Sequence, residues 1–106
     1  MYFGLSEEQK SLEENIQRFL SDNASLDTIK AVANGDEEKA KEVHKGIIDL
    51  GLSGLIVPEE YGGLGMGFVS TMITCEYISS GNGSLSTAFG AHTGIGTMPI
   101  TLYGTE

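Results

Sequence analysis

Glu76 is the first residue of this sequence whose type and setting could do chemistry. It is the only carboxylate between Tyr61 and Thr105 and lies in an apolar segment, where a buried carboxylate could act as a general base. One acid without a second converging polar group does not make an active site. We therefore favour a structural ion pair. Because residues 61–106 contain no Lys or Arg, the partner is expected from the first half or from outside the chain.

The glycine-rich segment Tyr61–Gly67 could cradle a phosphate. A dinucleotide-binding turn needs Gly-x-Gly-x-x-Gly between a strand and a helix, whereas here Gly63 and Gly65 are followed by a third glycine one position too early. Two consecutive acids precede the segment and would repel a pyrophosphate. We predict a plain tight turn between helices.

A third candidate is the segment Leu85–Gly96, which carries glycines within a helical pattern. Gly90 and Gly94 together cost a helix about 1–2 kcal/mol relative to alanine. Close approach of a second helix is the simpler explanation for that cost, and the wall of a ligand cavity is the alternative. His92 could reach a ligand there, although a hydrogen-bonded core imidazole is the favoured interpretation.

Metal and nucleophile chemistry have no support in the sequence. The single cysteine, Cys75, and the two histidines, His44 and His92, are too far apart to give the spacing of a zinc site. There is neither a nucleophile–base pair nor a Gly-x-Ser-x-Gly turn. From the residues alone we predict no catalytic residue and no metal site in this chain.

The first half is predicted to form helices. Ser6 and Gln9 form a capping box at the start of the first helix. A shorter helix is expected over Leu26–Ala33, ended by an Asn-Gly pair that tolerates left-handed backbone, and Asp36 is the expected N-cap of the next helix. The predicted buried stripes of the first and third helices are Leu12, Ile16, Phe19 and Leu20, and Ala40, Val43, Ile47 and Leu50.

The apolar run Leu52–Val57 resembles a strand by composition alone. It ends at Pro58, and no hairpin partner follows. We therefore expect an extended, buried connector.

The rest of the second half is predicted to be helical as well. Ser84 is the expected N-cap of the helix Leu85–Gly96, and Pro99 suits the first turn of a last helix. Phe68–Ser80 should form a mostly apolar helix, and the residues expected on its common side are Val69, Met72, Ile73 and Tyr77. The predicted fold class is all-α, an orthogonal or up-down helical bundle of about six helices.

Composition excludes several partners. The formal net charge of −9 disfavours nucleic acid and anionic membranes, because both would be repelled. The uncharged run Tyr77–Thr105 is too rich in glycine, serine and threonine for a membrane span. A lone cysteine, with no signal-peptide or transit-peptide pattern at the start, predicts a reducing, cytoplasmic location.

The charge is distributed unevenly along the chain. Residues 1–60 hold 19 of the 21 charged side chains, and residues 61–106 hold two. A solvated surface needs roughly a quarter of its residues charged. The second half is therefore expected to be covered by other protein, part of which is missing from this sequence.

Two blocks of sequence resemble the acyl-CoA dehydrogenase amino-terminal domain. The first is Leu50–Gly65, with the sequence LGLSGLIVPEEYGGLG, and the second runs from Gly90 to Ile100, with the sequence GAHTGIGTMPI, followed by Leu102–Glu106. The opening Leu5-Ser-Glu-Glu-Gln is similar to the start of the family's first helix. The resemblance covers essentially all 106 residues.

This resemblance implies a role that composition does not reveal. Family members are flavoproteins with a helical domain, a β-domain and a carboxy-terminal helical bundle. They remove the α-proton of an acyl-CoA thioester with a carboxylate and pass the β-hydrogen to FAD as hydride. Residues 1–106 would then be the first domain of such an enzyme, with the middle β-domain and the carboxy-terminal helical domain absent. The base and most of the FAD site would lie in those absent domains.

The family pattern also implies which residues contact substrate. The helix that matches Leu85–Gly96 supplies part of the wall around the acyl chain, and the implied wall positions are Ala88, Ala91, His92 and Ile95. The implied partners are an acyl-CoA substrate, an electron-transfer acceptor, the missing domains of the same chain and further copies in a homo-oligomer, a dimer or tetramer.

Two other hypotheses remain open from the sequence. One keeps the fold but places it in an acyl-CoA oxidase or a related flavin hydroxylase, which the reaction of the reduced flavin with oxygen would distinguish. The other is a stand-alone acidic helical interaction module, which would be colourless and complete without further protein.

Overall fold

The computed structural model describes residues 3–105, and this part of the chain is almost entirely helical. Within it there is no β-strand, which confirms the all-α prediction. A π-helical segment, Ala91–Thr97, joins the last two α-helices into one continuous rod. The α-helices are α1 (Glu7–Asn23), α2 (Leu26–Ala33), α3 (Glu37–Asp49), α4 (Phe68–Gly81), α5 (Gly83–Gly90) and α6 (Met98–Tyr103).

The molecule is flat and has a large surface for its mass. Its extents are 42 × 36 × 19 Å, and its radius of gyration of 14.3 Å exceeds the value of about 13 Å typical of a chain this long. The accessible surface is 7070 Å², against roughly 5,700 Å² expected for a folded monomer of 11.3 kDa. The helices therefore form a slab with an extended exposed area.

The predicted helix starts of the first half are confirmed. Gln9 donates its backbone N–H to Ser6 Oγ at 3.2 Å and accepts the Ser6 N–H on its own side chain at 2.9 Å, which completes the capping box. Asp36 accepts the Lys39 N–H at 3.1 Å, and Ser25 caps α2 in the same way. These caps satisfy amide groups that have no partner within the helix.

The core lies where α1, α3, α4 and the last rod meet. The predicted stripes are largely confirmed: Leu20, Ala40 and Leu50 are half-buried, and the other members are buried. Gly46 of α3 lies directly against the Phe19 ring, so the two helices approach closely at this point. The buried apolar side chains are Leu12, Ile16, Phe19, Ala24, Val43, Ile47, Leu52, Leu55, Ile73, Ile78 and Phe89.

The prediction of an extended connector over Leu52–Val57 is wrong. Leu52–Gly54 forms a 3₁₀ turn that follows Gly51, whose φ of 79° reverses the chain after α3. This turn places Leu52 and Leu55 on the same side, and both are fully buried. Helical spacing of the two leucines, three residues apart, explains why a turn buries them better than an extended chain would.

The prediction for the buried side of α4 is half wrong. Ile73 is buried and Tyr77 is half-buried, but Val69 and Met72 are 59% and 60% exposed. The other side chains of α4 that enter the core are Ile78 and the polar Ser70, Thr71 and Thr74. The hydroxyls of Thr71 and Thr74 donate to the Gly67 and Ser70 carbonyls at 3.2 and 2.9 Å. Because these hydrogen bonds stay within the helix, burial leaves neither hydroxyl unpaired.

A side-chain hydrogen bond links α1 to α4 in addition to the apolar core. Tyr77 donates its phenolic proton to the Glu13 carboxylate, and both residues are half-buried. This hydrogen bond, with smaller contributions from desolvation and the charges of Glu13 and Glu76, raises the pKa of Tyr77 above its usual value of 10.0. The folded state therefore favours the neutral phenol.

We predict that this hydrogen bond makes stability depend on pH above 10. Since the pKa of Tyr77 is raised on folding, its contribution is complete below the unfolded value of 10.0 and is lost as pH rises through the folded value. Tyr77→Phe should lower the free energy of unfolding at pH 8, and the difference from the unmodified chain should shrink as pH rises above 10. Urea unfolding of both chains across this range measures it. A difference that stays constant with pH would contradict the prediction.

Candidate functional site

The segment that carries the candidate wall residues lies in the long rod formed by α5, the π-helical segment and α6. Ser84 was predicted to cap it, but the N-cap is Asn82, whose side chain accepts the Leu85 N–H at 2.8 Å. The α-helix ends at Gly90 instead of Gly96. The helix begins two residues earlier than predicted because the side-chain oxygen of Asn82 accepts the amide three residues further on, as an N-cap does.

The π-helical segment Ala91–Thr97 then changes the periodicity of the rod. Met98 donates its N–H to the Thr93 carbonyl, five residues back, which is the hydrogen bond of a π-helix. Pro99 lies in the first turn of α6, as predicted. Isolated π-helical turns are frequent at functional sites, which makes this segment a candidate part of one.

Three of the four implied wall residues lie on the exposed side of the rod. Ala88, Ala91 and Ile95 follow one another at spacings of three and four residues, and Ile95 is 82% exposed. Phe89 and Thr93 occupy the opposite side and are buried. The exposed row is therefore free to contact a ligand or another part of a protein.

The fourth, His92, is turned toward the 3₁₀ turn. Its Nε2 lies 3.2 Å from the Ser53 carbonyl oxygen and 3.4 Å from Thr97 Oγ1. The imidazole is exposed, so the favoured interpretation of a core histidine is wrong, but its hydrogen bonds are made within the chain. His92 therefore connects the π-helical segment to the 3₁₀ turn Leu52–Gly54.

Gly90 and Gly94 have no close neighbour among the described residues. A Cβ atom added at Gly90 or Gly94 would meet nothing within 4 Å. Close packing of a second helix of this chain therefore does not explain them. Glycine in a helix costs about 1 kcal/mol relative to alanine, so the open space beside them favours the alternative, a surface that something else approaches.

Thr93 adds a second unexplained feature to the same segment. It is 1% exposed, and its hydroxyl has no hydrogen-bond partner among residues 3–105. Thr87 and Thr101 of the same rod each donate to the carbonyl four residues back, at 3.0 Å. No sequence pattern predicts this unpaired hydroxyl, because a threonine in an α-helix normally donates to that carbonyl.

Ala88 also lines an apolar cleft of about 330 Å³ between α2, α3 and α5. Its lining also includes Val32, Val43, Leu85 and His44. The cleft is a surface depression on the side of the molecule that carries α2. It contains none of the other implied wall residues.

The glycine-rich segment is a tight turn, as predicted. Gly62 and Gly65 adopt positive φ angles of 85° and 60°. Four consecutive amides, those of residues 63–66, donate to the carbonyls of Pro58, Gly54, Val57 and Leu55 at 2.8–3.1 Å. Because these four amides are already paired, they are not available to bind a phosphate.

The charged residues do not converge on the rod. The six basic side chains lie between Lys10 and Lys45, and three of them pair with Glu7, Glu38 and Asp49 on exposed helix surface. Glu76 is exposed, and no ion pair or hydrogen bond of its carboxylate occurs within residues 3–105. The predicted ion pair is therefore not made by the first half of the described chain.

Residues 3–105 contain neither a candidate metal site nor a candidate membrane-spanning helix. No group of three or more His, Cys, Asp and Glu side chains converges in a way that could hold a metal ion. No helix of this part of the chain has the length and apolar character needed to cross a membrane.

Comparison with known proteins gives a consistent result. Residues 6–106 match the family model described as acyl-CoA dehydrogenase, N-terminal domain. A probable acyl-CoA dehydrogenase of Bacillus subtilis is 36% identical over 101 residues, which are 95% of this chain and 17% of that protein. No solved structure matches.

Several relatives have names that specify a substrate, and two of them illustrate the range. Bovine mitochondrial isovaleryl-CoA dehydrogenase is 30% identical over 103 residues, 97% of this chain and 24% of the relative. Mitochondrial 2-methylacyl-CoA dehydrogenase of Solanum tuberosum is 28% identical over 101 residues, 95% of this chain and 24% of the relative. The chain thus spans about a quarter or less of the length of the relatives it matches.

We predict that the glycine-rich turn Tyr61–Gly67 does not tolerate a side chain in place of Gly63. A Cβ there would fall well inside contact distance of the Val57 carbonyl, which forces a backbone shift. Gly63→Ala should lower the free energy of unfolding by about 1–3 kcal/mol. The control is Gly67→Ala, where a Cβ meets nothing within 4 Å, and its effect should stay within about 1 kcal/mol. Urea unfolding measures both, and equal effects would contradict the prediction.

Proposed function

The chain belongs to the acyl-CoA dehydrogenase family, and from this membership we propose that it serves as the amino-terminal helical domain of an FAD-dependent enzyme that oxidises acyl-CoA thioesters. The match of residues 6–106 to that domain of the family is the observation that carries the proposal. Against this background, a stand-alone interaction module and an oxidase or hydroxylase are the less supported hypotheses.

The role proposed for this domain is to form part of the wall around the acyl chain. Ala88, Ala91 and Ile95 offer a small and apolar exposed row, which suits an alkyl group. The empty space beside Gly90 and Gly94 supports this placement, because a ligand or the protein that encloses it can approach the backbone there. His92 would lie beside Ala91, held by the Ser53 carbonyl.

The described residues do not fit FAD as its main binding site. A pyrophosphate needs free amides or cations, whereas the amides of residues 63–66 in the glycine-rich turn are paired and the basic residues lie in the first half of the chain. When bound, FAD would accept the substrate hydride, and we propose that other parts of the enzyme hold it. The role of this chain is then to enclose and orient the acyl group.

Further elements of the proposal concern partners and location. We propose acyl-CoA as substrate, an electron-transfer acceptor as the second partner, and assembly into a homo-oligomer. Short branched acyl groups are the first substrates to test, because relatives are named for isovaleryl-CoA and 2-methylacyl-CoA. The lone, half-buried thiol of Cys75 supports a reducing compartment, which we propose to be the cytoplasm; several relatives are named as mitochondrial.

The first test compares the natural polypeptide with residues 1–106 alone. The natural polypeptide, purified from its source cells, should carry FAD absorbance and reduce an artificial electron acceptor when acyl-CoA is added. Residues 1–106 alone should be colourless and inactive. Turnover by the short segment would contradict the proposed division of roles, and rapid reoxidation of the reduced flavin by oxygen would favour an oxidase instead.

We further predict that a large side chain at Ala91 shortens the acyl pocket. Ala91→Phe in the natural polypeptide should lower kcat/KM for long straight-chain acyl-CoA by about 10–200-fold, because lost or blocked methylene contacts have effects of this size. The values for the shortest substrates should change by less than about threefold. Steady-state kinetics over a series of chain lengths measures the difference.

The control for this prediction is Ser21→Phe, which adds the same ring at an exposed position of α1. This variant should leave the chain-length profile unchanged. FAD content, measured from absorbance, should be the same in all three proteins. A uniform loss across all substrates, or an unchanged profile in Ala91→Phe, would remove Ala91 from the proposed wall.

A further inference from the structure

The chain contains two Asn-Gly pairs, Asn34-Gly35 and Asn82-Gly83, and the fold holds them in different ways. Asparagine is a thermolabile residue, and a following glycine exposes it to loss of its side-chain amide, because glycine has no Cβ to shield its backbone nitrogen. That nitrogen attacks the asparagine Cγ, the bond from Cγ to the side-chain nitrogen breaks, and ammonia leaves. Since both pairs have the same chemistry, a difference between them must come from the surrounding structure.

The side chain of Asn34 is exposed and makes no hydrogen bond within residues 3–105. Asn34 is the C-cap of α2, at the point where the chain turns toward α3. It lies in residues 1–60, which hold 19 of the 21 charged side chains and form the solvated half of the molecule. Water and hydroxide can therefore reach this amide.

The backbone that follows Asn34 is held by two hydrogen bonds. Gly35, with a φ of 97°, donates its N–H to the Val32 carbonyl at 3.0 Å, and Asp36 donates to the Ala31 carbonyl at 3.0 Å. This is the Schellman arrangement that commonly ends a helix. Because the attacking nitrogen is paired in the closed turn, the reaction requires the last turn of α2 to open. The helix has eight residues and none is buried, so this opening costs little free energy.

Asn82 is held by hydrogen bonds of its side chain and of its backbone. Its side-chain oxygen accepts the Leu85 N–H at 2.8 Å. Its own N–H donates to the Ile78 carbonyl at 2.9 Å, and its carbonyl accepts the Ser86 N–H at 3.1 Å. Asn82 is half-buried at the junction of α4 and α5, and both helices enter the core, through Ile78 and Phe89. Releasing this side chain for ring closure requires the junction of two packed helices to open, which costs more free energy.

We propose that Asn34 is a modification site, at which the side-chain amide is lost spontaneously through a cyclic succinimide, whereas the fold protects Asn82. In the second step water opens the ring. Cleavage of the bond from the ring nitrogen to Cγ gives aspartate, and cleavage of its bond to the backbone carbonyl carbon gives isoaspartate. The net reaction consumes one water, replaces the amide by a carboxylate and releases ammonia, so no oxidant or reductant is needed. This inference does not depend on the function proposed above.

Either product weakens the connection between α2 and α3. A carboxylate at position 34 adds a negative charge at the carboxyl end of α2, where the helix dipole disfavours an anion, and only two residues from Asp36. Isoaspartate also adds one methylene to the backbone, which displaces the amides of Gly35 and Asp36 from the carbonyls they now bind. Order is therefore lost at the end of α2.

Peptide mapping by mass spectrometry tests the proposal. The natural polypeptide, freshly purified from its source cells, is incubated in mildly alkaline buffer and digested at intervals. The peptide with Asn34 should gain the mass of an amide-to-acid exchange and separate into two forms, aspartate and isoaspartate. Its initial rate of conversion should exceed that of Asn82 by at least about tenfold, because a small difference in opening free energy has an effect of this size.

The same polypeptide unfolded in urea is the matched control. There neither pair is protected, so the two rates should become similar. In the folded polypeptide, Asn34→Gln should abolish the modification at position 34, because the ring it would need has six members and closes more slowly. Amide hydrogen exchange should show the Gly35 amide exchanging faster than the Leu85 amide, as the difference in opening requires.

The rates in the folded polypeptide decide the proposal. Equal rates at the two pairs, or faster conversion at Asn82, would overturn it. The same holds for an Asn34 that stays intact over a period in which urea-unfolded chains convert both pairs, because the turn would then protect Asn34 as the cap protects Asn82.

Discussion

The burial of threonine side chains in α4 depends on hydrogen bonds to carbonyl groups of the same helix. Thr71 and Thr74 each donate to the residue four positions earlier, so their methyl groups can enter the core without an unpaired hydroxyl. Thr74 is completely buried as a result. The inward side of α4 carries these hydroxyl groups together with Ile73 and Ile78, and the apolar side chains Val69 and Met72 are left outside. The exposed apolar face is thus a direct consequence of how the core is packed.

In the rod that follows α4, a buried threonine lacks such a hydrogen bond. In the π-helical segment the hydrogen-bonding pattern shifts by one residue, and Thr93 is buried without a partner for its hydroxyl. An unpaired buried hydroxyl costs about 1–3 kcal/mol, and the two helix glycines add about 1–2 kcal/mol. Within residues 3–105 the Thr93 hydroxyl has no hydrogen-bond partner, and no atom would contact a Cβ at Gly90 or Gly94. Features that weaken a helix without local compensation are typical of positions selected for contact with a ligand or with other protein.

How far the sequence predicts this structure depends on which signal specifies each element. Caps are local, so Ser6 and Asp36 could be assigned from a few residues. The apolar stripes of α1 and α3 could also be assigned, because their other sides are charged. The buried side of α4 could not, since the helix has apolar residues all round and hydropathy does not distinguish the core from an interface. The resemblance indicated the wall residues, but a periodicity of 3.6 could not foresee that the π-helical segment leaves His92 bonded to Ser53.

The two halves of the chain differ in the charge of their surfaces. Charged side chains make α1 to α3 a solvated outer surface, and isolated surface ion pairs such as Lys10–Glu7 contribute little stability of their own. The second half has almost no charge. Covering its exposed apolar area with another surface therefore lowers the free energy. Two separate parts of this area, the outer side of α4 and the row from Ala88 to Ile95, are therefore available at once. A protein partner on the first would leave the second free to enclose an acyl group, so one small helical domain can combine assembly with substrate contact.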